Sequence, residues 1–429
     1  TLSPSSAASD VYKRQVILIY EYHPANEIRG SYYDIYQGKT IVVGLTSSVA
    51  VYRCIDIIRE LIRRSADVIA VMSKEATKLV TPTLLEWATG NKVYTEFGGE
   101  VGHISLSRKA SSMLICPATA NTISKISSGI GDTSVTLLAL SMLGLGKPVI
   151  IVPAMHYNLW KSPPLEKSIN ELKGYGVTVI PPRIEENRAK IAPIDDVLAA
   201  VEAQTLRGND LKGLKILVTA GPTREFLDPI RFLTNASSGK MGVAIAREAY
   251  FRGAEVTLIH GPLTTSKPYY IRTKEVTTAE EMLNVVREEL TKDSYDALIM
   301  AAAPTDFRFR ESFKEKVSSE RELGPLYLEL NPKISLEIRK FFKGLMVGFS
   351  AEYVKGDKER LKLLAINKLK NRGFDIIVAN DVSRKDIGFA SDFNEVLIIT
   401  KNEVLEIPKA PKTVIARIIL DKVKVMIKK

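Results

Sequence analysis

The chain has 429 residues, too many for one ordinary core and about right for two domains of roughly 200 residues each. Its 45% hydrophobic and 25% charged content excludes a disordered or fibrous chain, and two cysteines with four histidines exclude a disulfide framework and a zinc cluster, as expected of a reducing, cytoplasmic compartment. The net charge of +11 invites a nucleic-acid reading, whereas the longest uncharged stretch, Ala110 to Ser124, is interrupted by Pro117 and falls short of the roughly 20 apolar residues of a membrane span, so no membrane partner is expected.

Residues 1–15 are rich in Ser and Ala and end in DVYKRQ; they resemble translated sequencing-adapter read-through and are set apart from the folded chain. Residues 16–38 read as an arm. From Lys39, apolar runs alternate with helical periodicity: TIVVGLT, VAVYRCIDIIRELIRRS, DVIAVMS, then SSMLICPAT, KPVIIVPAM and VTVIPP. Short buried strands alternating with helices predict a parallel, doubly wound sheet over 39–205. The polar stretch 206–213, with Gly208, Asn209, Asp210 and Gly213, reads as a linker that puts a domain boundary near Leu211. The alternation restarts over 214–429 with KILVTAGPT, EVTLIHGP, DALIMAAAP, LMVGFSAE and DIIVAND. The expected fold class is α/β, with two doubly wound, Rossmann-like domains and mainly parallel sheets.

From Lys401 to Lys429 eight basic residues face three acidic ones, Glu403, Glu406 and Asp421. The segment predicts a strand, a proline-rich turn at Pro408 and Pro411, and a final amphipathic helix with Val414, Ile415, Ile418, Ile419, Val423 and Met426 inward. Its basic residues read as a solvated helix face, so no nucleic-acid partner is expected.

Open parallel sheets bind ligands beyond the carboxyl ends of their strands, so chemistry is sought just after each apolar run. Ser47 and Ser48 follow the first strand and open a helix whose free amides suit a phosphate, although Ser is also a common plain N-cap. Ser73 and Thr81 follow the next. His103, in GHI behind a glycine-rich turn at Gly98 and Gly99, is either a structural histidine or a proton-transfer group. PATANT (Pro117 to Thr122) and PAMH (Pro153 to His156) put Asn121, Met155 and His156 on further strand-end loops.

In the second half, the strand Lys215 to Thr219 runs into a turn at Gly221 and Pro222, a loop with Asp228 and Arg231, then Asn235 and SSGKMG opening the helix Met241 to Arg252. Gly239 and Gly242 permit close backbone approach, and the helix start favours anions. The Walker A spacing is absent, and a generic dinucleotide loop is the plain alternative.

In this order, GLTSSVAVYR, GHI, PATANTISKISSGIGD and PAMHYNLW resemble the flavin-dependent 4'-phosphopantothenoylcysteine decarboxylases, within the homo-oligomeric flavin-containing cysteine decarboxylase family, over Thr40 to Val201. That resemblance implies a flavodoxin-like domain holding flavin mononucleotide (FMN) through Ser47, Ser48, Ser73 and the loop around Asp132. It makes His103 the catalytic base, has Asn121 hold the substrate carboxylate, and sets Met155 and His156 at the border of the substrate pocket. It also implies a homotrimer, with further assembly into a dodecamer as an extension. Bacterial members carry a flap cysteine where this chain has RIEENRAKIAP (Arg183 to Pro193), as archaeal-type members do, which leaves the proton donor unassigned.

KILVTAGPTREFLDPIRFLTNASSGKMG, AAAPTDFR, EKVSSE, GFSAE, KLKNR and VANDV resemble the phosphopantothenate-cysteine ligase family over Leu214 to Lys424. The resemblance assigns Arg231 and Asn235 to the acyl phosphate centre, with Gly221, Ser238, Gly239, Ala302, Ala303, Asp306, Lys316, Phe349, Lys368 and Arg372 at the nucleotide. It implies CTP as co-substrate, with magnesium bound mainly through the phosphates, and 4'-phosphopantothenate and cysteine as the other substrates. Lys368 and Arg372 share a helix face at i and i+4. Together the halves resemble archaeal-type bifunctional enzymes of coenzyme A biosynthesis. A flavin-binding regulatory scaffold with an inactive decarboxylase fold is the alternative; a dinucleotide-dependent oxidoreductase would need a GxGxxG loop after a strand, which the sequence lacks.

Overall fold

A computed structural model describes residues 23–98, 101–320, 323–384 and 386–427. The adapter-like segment, the start of the arm and Gly99 lie outside the described residues. The chain divides into two compact units between Gly208 and Asn209.

In the first unit, the apolar runs become β1 (Thr40–Leu45), β2 (Asp67–Met72), β3 (Ser112–Ala118), β4 (Val149–Pro153), β5 (Met155–His156), β6 (Thr178–Val179), β7 (Arg183–Glu185) and β8 (Arg188–Lys190). The main sheet has the order β2-β1-β3-β4-β6 with every pair parallel. β1 and β3 are buried at every position, as strands covered by helices on both faces must be. The described end of the arm packs on this unit: Tyr36 is fully buried, and the N–H groups of Tyr32 and Tyr36 reach the carbonyls of Arg63 at 3.1 Å and Arg64 at 2.9 Å. RIEENRAKIAP forms a β7–β8 hairpin, with Glu186 and Asn187 at φ +50° and +55° in its two-residue turn; β8 also pairs with β5.

The second unit carries β9 (Lys215–Ala220), β10 (Arg224–Phe226), β11 (Phe232–Thr234), β12 (Glu255–His260), β13 (Arg272–Glu275), β14 (Ala297–Met300), β15 (Phe307–Phe309), β16 (Leu328–Leu330), β17 (Leu345–Glu352), β18 (Ile376–Asp381), β19 (Phe393–Thr400) and β20 (Val404–Pro411). Its main sheet runs β13-β12-β9-β14-β17-β18-β19-β20, parallel through β18 and antiparallel for the last two strands. The proline-rich turn expected at Pro408 and Pro411 is instead the edge strand β20. An edge strand needs no N–H on its outer side; Pro408 falls where the ladder shifts register between Asn394 and Val396, and Pro411, opposite Phe393, ends the strand.

The glycine loop after β9 opens the helix Lys240–Phe251, one residue earlier than its sequence pattern suggests. A Cβ on Gly242 would lie 2.5 Å from the Ala220 side chain and 2.9 Å from the Thr219 carbonyl oxygen, so glycine is what lets this helix lie directly on β9. At the other end of the helix, Arg252 is fully buried and grips Asp210 through two bonds of 2.7 and 2.8 Å and Asp421 at 2.8 Å, joining the first loop of the unit to the C-terminal helix Lys412–Ile427. At the far side of the sheet, Asp381 ends β18 and accepts the N–H groups of Gly356 at 2.7 Å, Ser383 at 2.9 Å and Val354 at 3.3 Å. Among the described residues no helix is long and apolar enough to cross a membrane.

Two stability predictions follow from these charged anchors. Arg252→Met removes the buried cation that Asp210 and Asp421 share, leaves Asp210 to Lys424 alone, and is expected to cost about 3 kcal/mol, read as a lower guanidinium midpoint for the second unit with the first unit's transition unmoved. Burial pushes the Asp381 carboxyl up, but the N–H groups of Ser383, Gly356 and Val354 and the Ser383 hydroxyl together hold it at about 2. Because its pKa is depressed on folding, its stabilisation is present above pH 4 and is lost as pH falls toward 2. Circular dichroism melts should therefore fall more steeply between pH 4 and 2 for the unmodified protein than for Asp381→Asn.

Candidate active sites at the strand edges

Parallel strands put all their carboxyl ends on one edge. In the first unit the order reverses between β1 and β3, and the loops after these two strands are tied together: the Thr46 hydroxyl donates to the Pro117 carbonyl at 2.7 Å and accepts the Thr119 N–H at 3.2 Å. Ser47 is exposed, and Ser48 is the N-cap of a 3-10 turn, Val49–Arg53, with no side-chain cap bond, so both hydroxyls are available beside the first amides of the turn. Thr119 caps the helix Ala120–Ser127, which leaves Asn121 exposed in its first turn. β5 carries Met155 and His156 at the neighbouring loop, with His156 opposite Arg188 of the hairpin.

His103 is the second residue of the helix Gly102–Lys109, half-buried, with its ring 5.9 Å from that of Phe97. That helix descends into β3, so its first turn sits at the same carboxyl edge. The other predicted hydroxyls each accept one backbone N–H and keep their own O–H to donate. Ser73 is buried and accepts the Ala76 N–H at 3.3 Å, while Thr81 caps the helix Pro82–Thr89 through the Leu84 N–H at 3.3 Å. Asp132 is half-exposed and paired with Lys125 at 2.6 Å, which holds its carboxyl below the usual range.

In the second unit a cavity of about 410 Å³ opens at the carboxyl edge of β9, β14, β17 and β18. It gathers Asn235, Ser238 and Gly239 from the loop after β11, Ala302, Ala303 and Asp306 from the loop after β14, Phe349 from β17, and Lys368 and Arg372 from the helix Lys358–Arg372. The Asn235 amide donates to the carbonyls of Ala303 and Pro304, both at 3.0 Å, fixing the alanine loop beside the glycine turn. Gly239 has φ +79°, and its Cβ position lies 3.3 Å from the Gly221 Cα. Gly221 therefore backs the turn without lining the cavity.

Arg231 and Lys316 are not brought to the lining. Arg231 pairs with Asp228 at 2.6 Å and donates to the Val317 carbonyl at 3.1 Å, and Lys316 is exposed next to it. Burial raises the Asp228 carboxyl, but the N–H groups of Arg231, Ile230 and Val317, with the Arg231 guanidinium, bring it down to about 2. Three lining cations escaped the sequence reading: Lys240, Lys333 and Lys412. Lys333 pairs with Asp306, and its only sequence sign was the polar proline turn NPK; Lys240 stood inside SSGK; Lys412 was hidden in a segment whose charge reads as solvated. Lys368 pairs with Glu352 at 2.9 Å, and Glu352 also accepts the Ser350 hydroxyl at 2.6 Å. Asp306 is the acid among the described lining residues, against five cations, so the cavity suits a polyanion. Among the described residues no group of three or more His, Cys, Asp or Glu could hold a metal.

Two family models match the chain: Flavoprotein over residues 29–206, and DNA/pantothenate metabolism flavoprotein C-terminal domain over residues 211–426. The coenzyme A biosynthesis bifunctional protein CoaBC of Thermococcus kodakarensis is 42% identical over 396 residues, covering 91% of this chain and 96% of the relative. Its counterpart in Methanocaldococcus jannaschii is 40% identical over 410 residues, covering 95% and 98%. Among solved structures, the crystal structure of the C-terminal domain of a CoaBC protein is 35% identical, covers 51% of this chain and 98% of that chain, and has a TM-score of 0.43. With both family domains matched in order and relatives aligned across both units, the chain belongs to the family of coenzyme A biosynthesis bifunctional proteins CoaBC.

Proposed function

We propose that the second unit joins cysteine to 4'-phosphopantothenate at the expense of CTP, and that the first decarboxylates the product, 4'-phosphopantothenoylcysteine, to 4'-phosphopantetheine. The full-length likeness to the bifunctional relatives carries this reading, and the cationic cavity supports its nucleotide half.

A carboxylate cannot acylate an amine near neutral pH until one of its oxygens becomes a good leaving group. Its attack on the nucleotide α-phosphorus forms an acyl nucleotidylate and releases pyrophosphate; the cysteine amine then displaces the nucleoside monophosphate. Lys368 and Arg372 reach the cavity from one helix face and neutralise phosphate oxygens there. Magnesium would come with the triphosphate, whose oxygens suit it. Asn235 keeps its amide on the loop that borders the acyl centre and assists the amine's attack.

In the first unit, Ser47 and Ser48 with the amides that follow them suit the FMN phosphate, and Asn121 in its exposed first turn suits the substrate carboxylate. When bound, the flavin supplies a reversible two-electron acceptor that makes loss of carbon dioxide feasible. His103 takes and returns the proton. The expected assembly is a homotrimer with the flavin at a subunit boundary, which would give the exposed apolar side chains of this unit, Val49, Trp87, Ile104 and Ile130, a surface to pack against.

The test is to incubate purified protein with 4'-phosphopantothenate, cysteine, CTP and magnesium and to follow pyrophosphate and carbon dioxide together. His103→Asn should lower carbon dioxide release by about 10²–10⁴-fold with flavin still bound and pyrophosphate release intact. Asn235→Ala should do the reverse, slowing ligation about 10²–10³-fold while supplied 4'-phosphopantothenoylcysteine is still decarboxylated. If His103→Asn stopped ligation in a folded protein, or a strictly monomeric species by light scattering were fully active as a decarboxylase, the corresponding assignment would fall.

A further inference from the structure

Lys412 opens the C-terminal helix yet is 6% exposed, on the wall of the ligase cavity. Its ammonium donates to the carbonyls of Gly388 at 2.7 Å and Phe389 at 3.3 Å, and its own N–H reaches the Asp392 carbonyl at 2.9 Å. An ammonium has three donors, and two carbonyls do not neutralise a charge. Among the described residues no carboxylate bonds to it: Asp392, the acid whose field it feels, is held by Lys240 at 2.7 Å. Burial, with Lys240 close by and against the pull of Asp392, pushes its pKa down to about 8.

The same short loop collects the glycine turn. The Ser238 hydroxyl donates to the Phe389 carbonyl at 2.5 Å and Lys240 to the Ala390 carbonyl at 3.0 Å. One end of the cavity therefore holds two ammonium groups and the start of the helix Lys240–Phe251, with a single exposed acid between them. A buried cation is costly unless an anion meets it, and the missing partner here is one with several oxygens.

We propose that Lys412 is a catalytic residue of the ligase half, its spare N–H contacting the terminal phosphates of the nucleoside triphosphate and the pyrophosphate that leaves. As the substrate carboxylate oxygen bonds the α-phosphorus, the bond to the bridging oxygen breaks and its electron pair departs on pyrophosphate; Lys412 balances that new charge without transferring its proton. The proposal rests on the nucleotide reading of the cavity given above.

The experiment measures binding of magnesium-CTP, CMP and inorganic pyrophosphate to the full-length protein by calorimetry, for the unmodified chain, Lys412→Met and Lys412→Gln. Glutamine keeps a donor for the loop carbonyls while removing the charge, so it serves if the methionine variant fails to fold, with near-ultraviolet dichroism as the check. Losing one charge-assisted bond should weaken CTP and pyrophosphate about tenfold or more and leave CMP within about twofold. Equal weakening of all three ligands would show that Lys412 only tethers the loop, and unchanged affinities would show no role; either overturns the proposal. If the unmodified protein bound neither CTP nor pyrophosphate, the nucleotide reading itself would fail and take the proposal with it.

Discussion

A parallel strand reaches its neighbour only through a crossover, and that requirement gathers the chemistry of both halves. Each strand hands the chain to a loop and then to a helix start, so loops, hydroxyls and free amides accumulate on one edge of the sheet. In the first unit this edge carries Ser47, Ser48, Asn121 and the Met155–His156 strand; in the second it carries the glycine turn, the alanine loop and the end of β17. Both edges are biased toward anions before any charged side chain is added. The two units then diverge by what they add: hydroxyls and a histidine in one, lysines and an arginine in the other.

Packing against the sheet sets how precisely these loops are held. Gly242 lets its helix lie on β9, and this brings the Ser238-Gly239 turn against Gly221 and beside the alanine loop, where the Asn235 amide bridges the two. The antiparallel strands β19 and β20 extend the sheet past β18, and the loop before β19 supplies the carbonyls that Ser238, Lys240 and Lys412 grip. The loop before β19 and Asn394 of that strand thus help to wall the cavity, as well as the strands lengthening the sheet.

Strands buried on both faces were legible because they read as unbroken apolar runs: TIVVGL and SMLICPA in the first unit, and KILVTA and IIVAND in the second, fall where such runs predict them. The β20 edge was not, because a half-exposed strand with two prolines carries turn chemistry and gives no alternation clean enough to outvote it. Among site residues, those embedded in glycine or alanine loops could be located by their backbone demands. Ser73 and Thr81 could not be separated from ordinary capping residues, since hydroxyls at helix starts serve both roles, and here they close turns. Arg231 and Lys316 are not among the described lining residues because Asp228, invisible as an organiser in sequence, draws the Arg231 loop and Val317 onto itself.

The basic C-terminal segment shows why a local charge excess has to be followed to its contacts. Lys409 pairs with Asp386 at 2.8 Å, Lys422 with Glu403 at 2.7 Å and Lys424 with Asp210 at 2.8 Å, while Arg417 is buried and meets Glu248 at 3.2 Å. These partners lie in the loop before β19, in the turn between β19 and β20, at the unit's first loop and on the helix that starts at the glycine turn. The charges therefore act as fasteners for strand β20 and the helix that follows it, and little of their field is left to attract a distant polyanion. Fastening that helix through Arg417, Lys422 and Lys424, with Lys409 tying the strand before it, keeps Lys412 buried: an ammonium without a carboxylate would otherwise swing its helix end toward water, and the ion pairs further along oppose that movement. The cost of the buried cation is thus carried by the whole C-terminal segment, which makes the end of the cavity ready for negative charge before a ligand arrives.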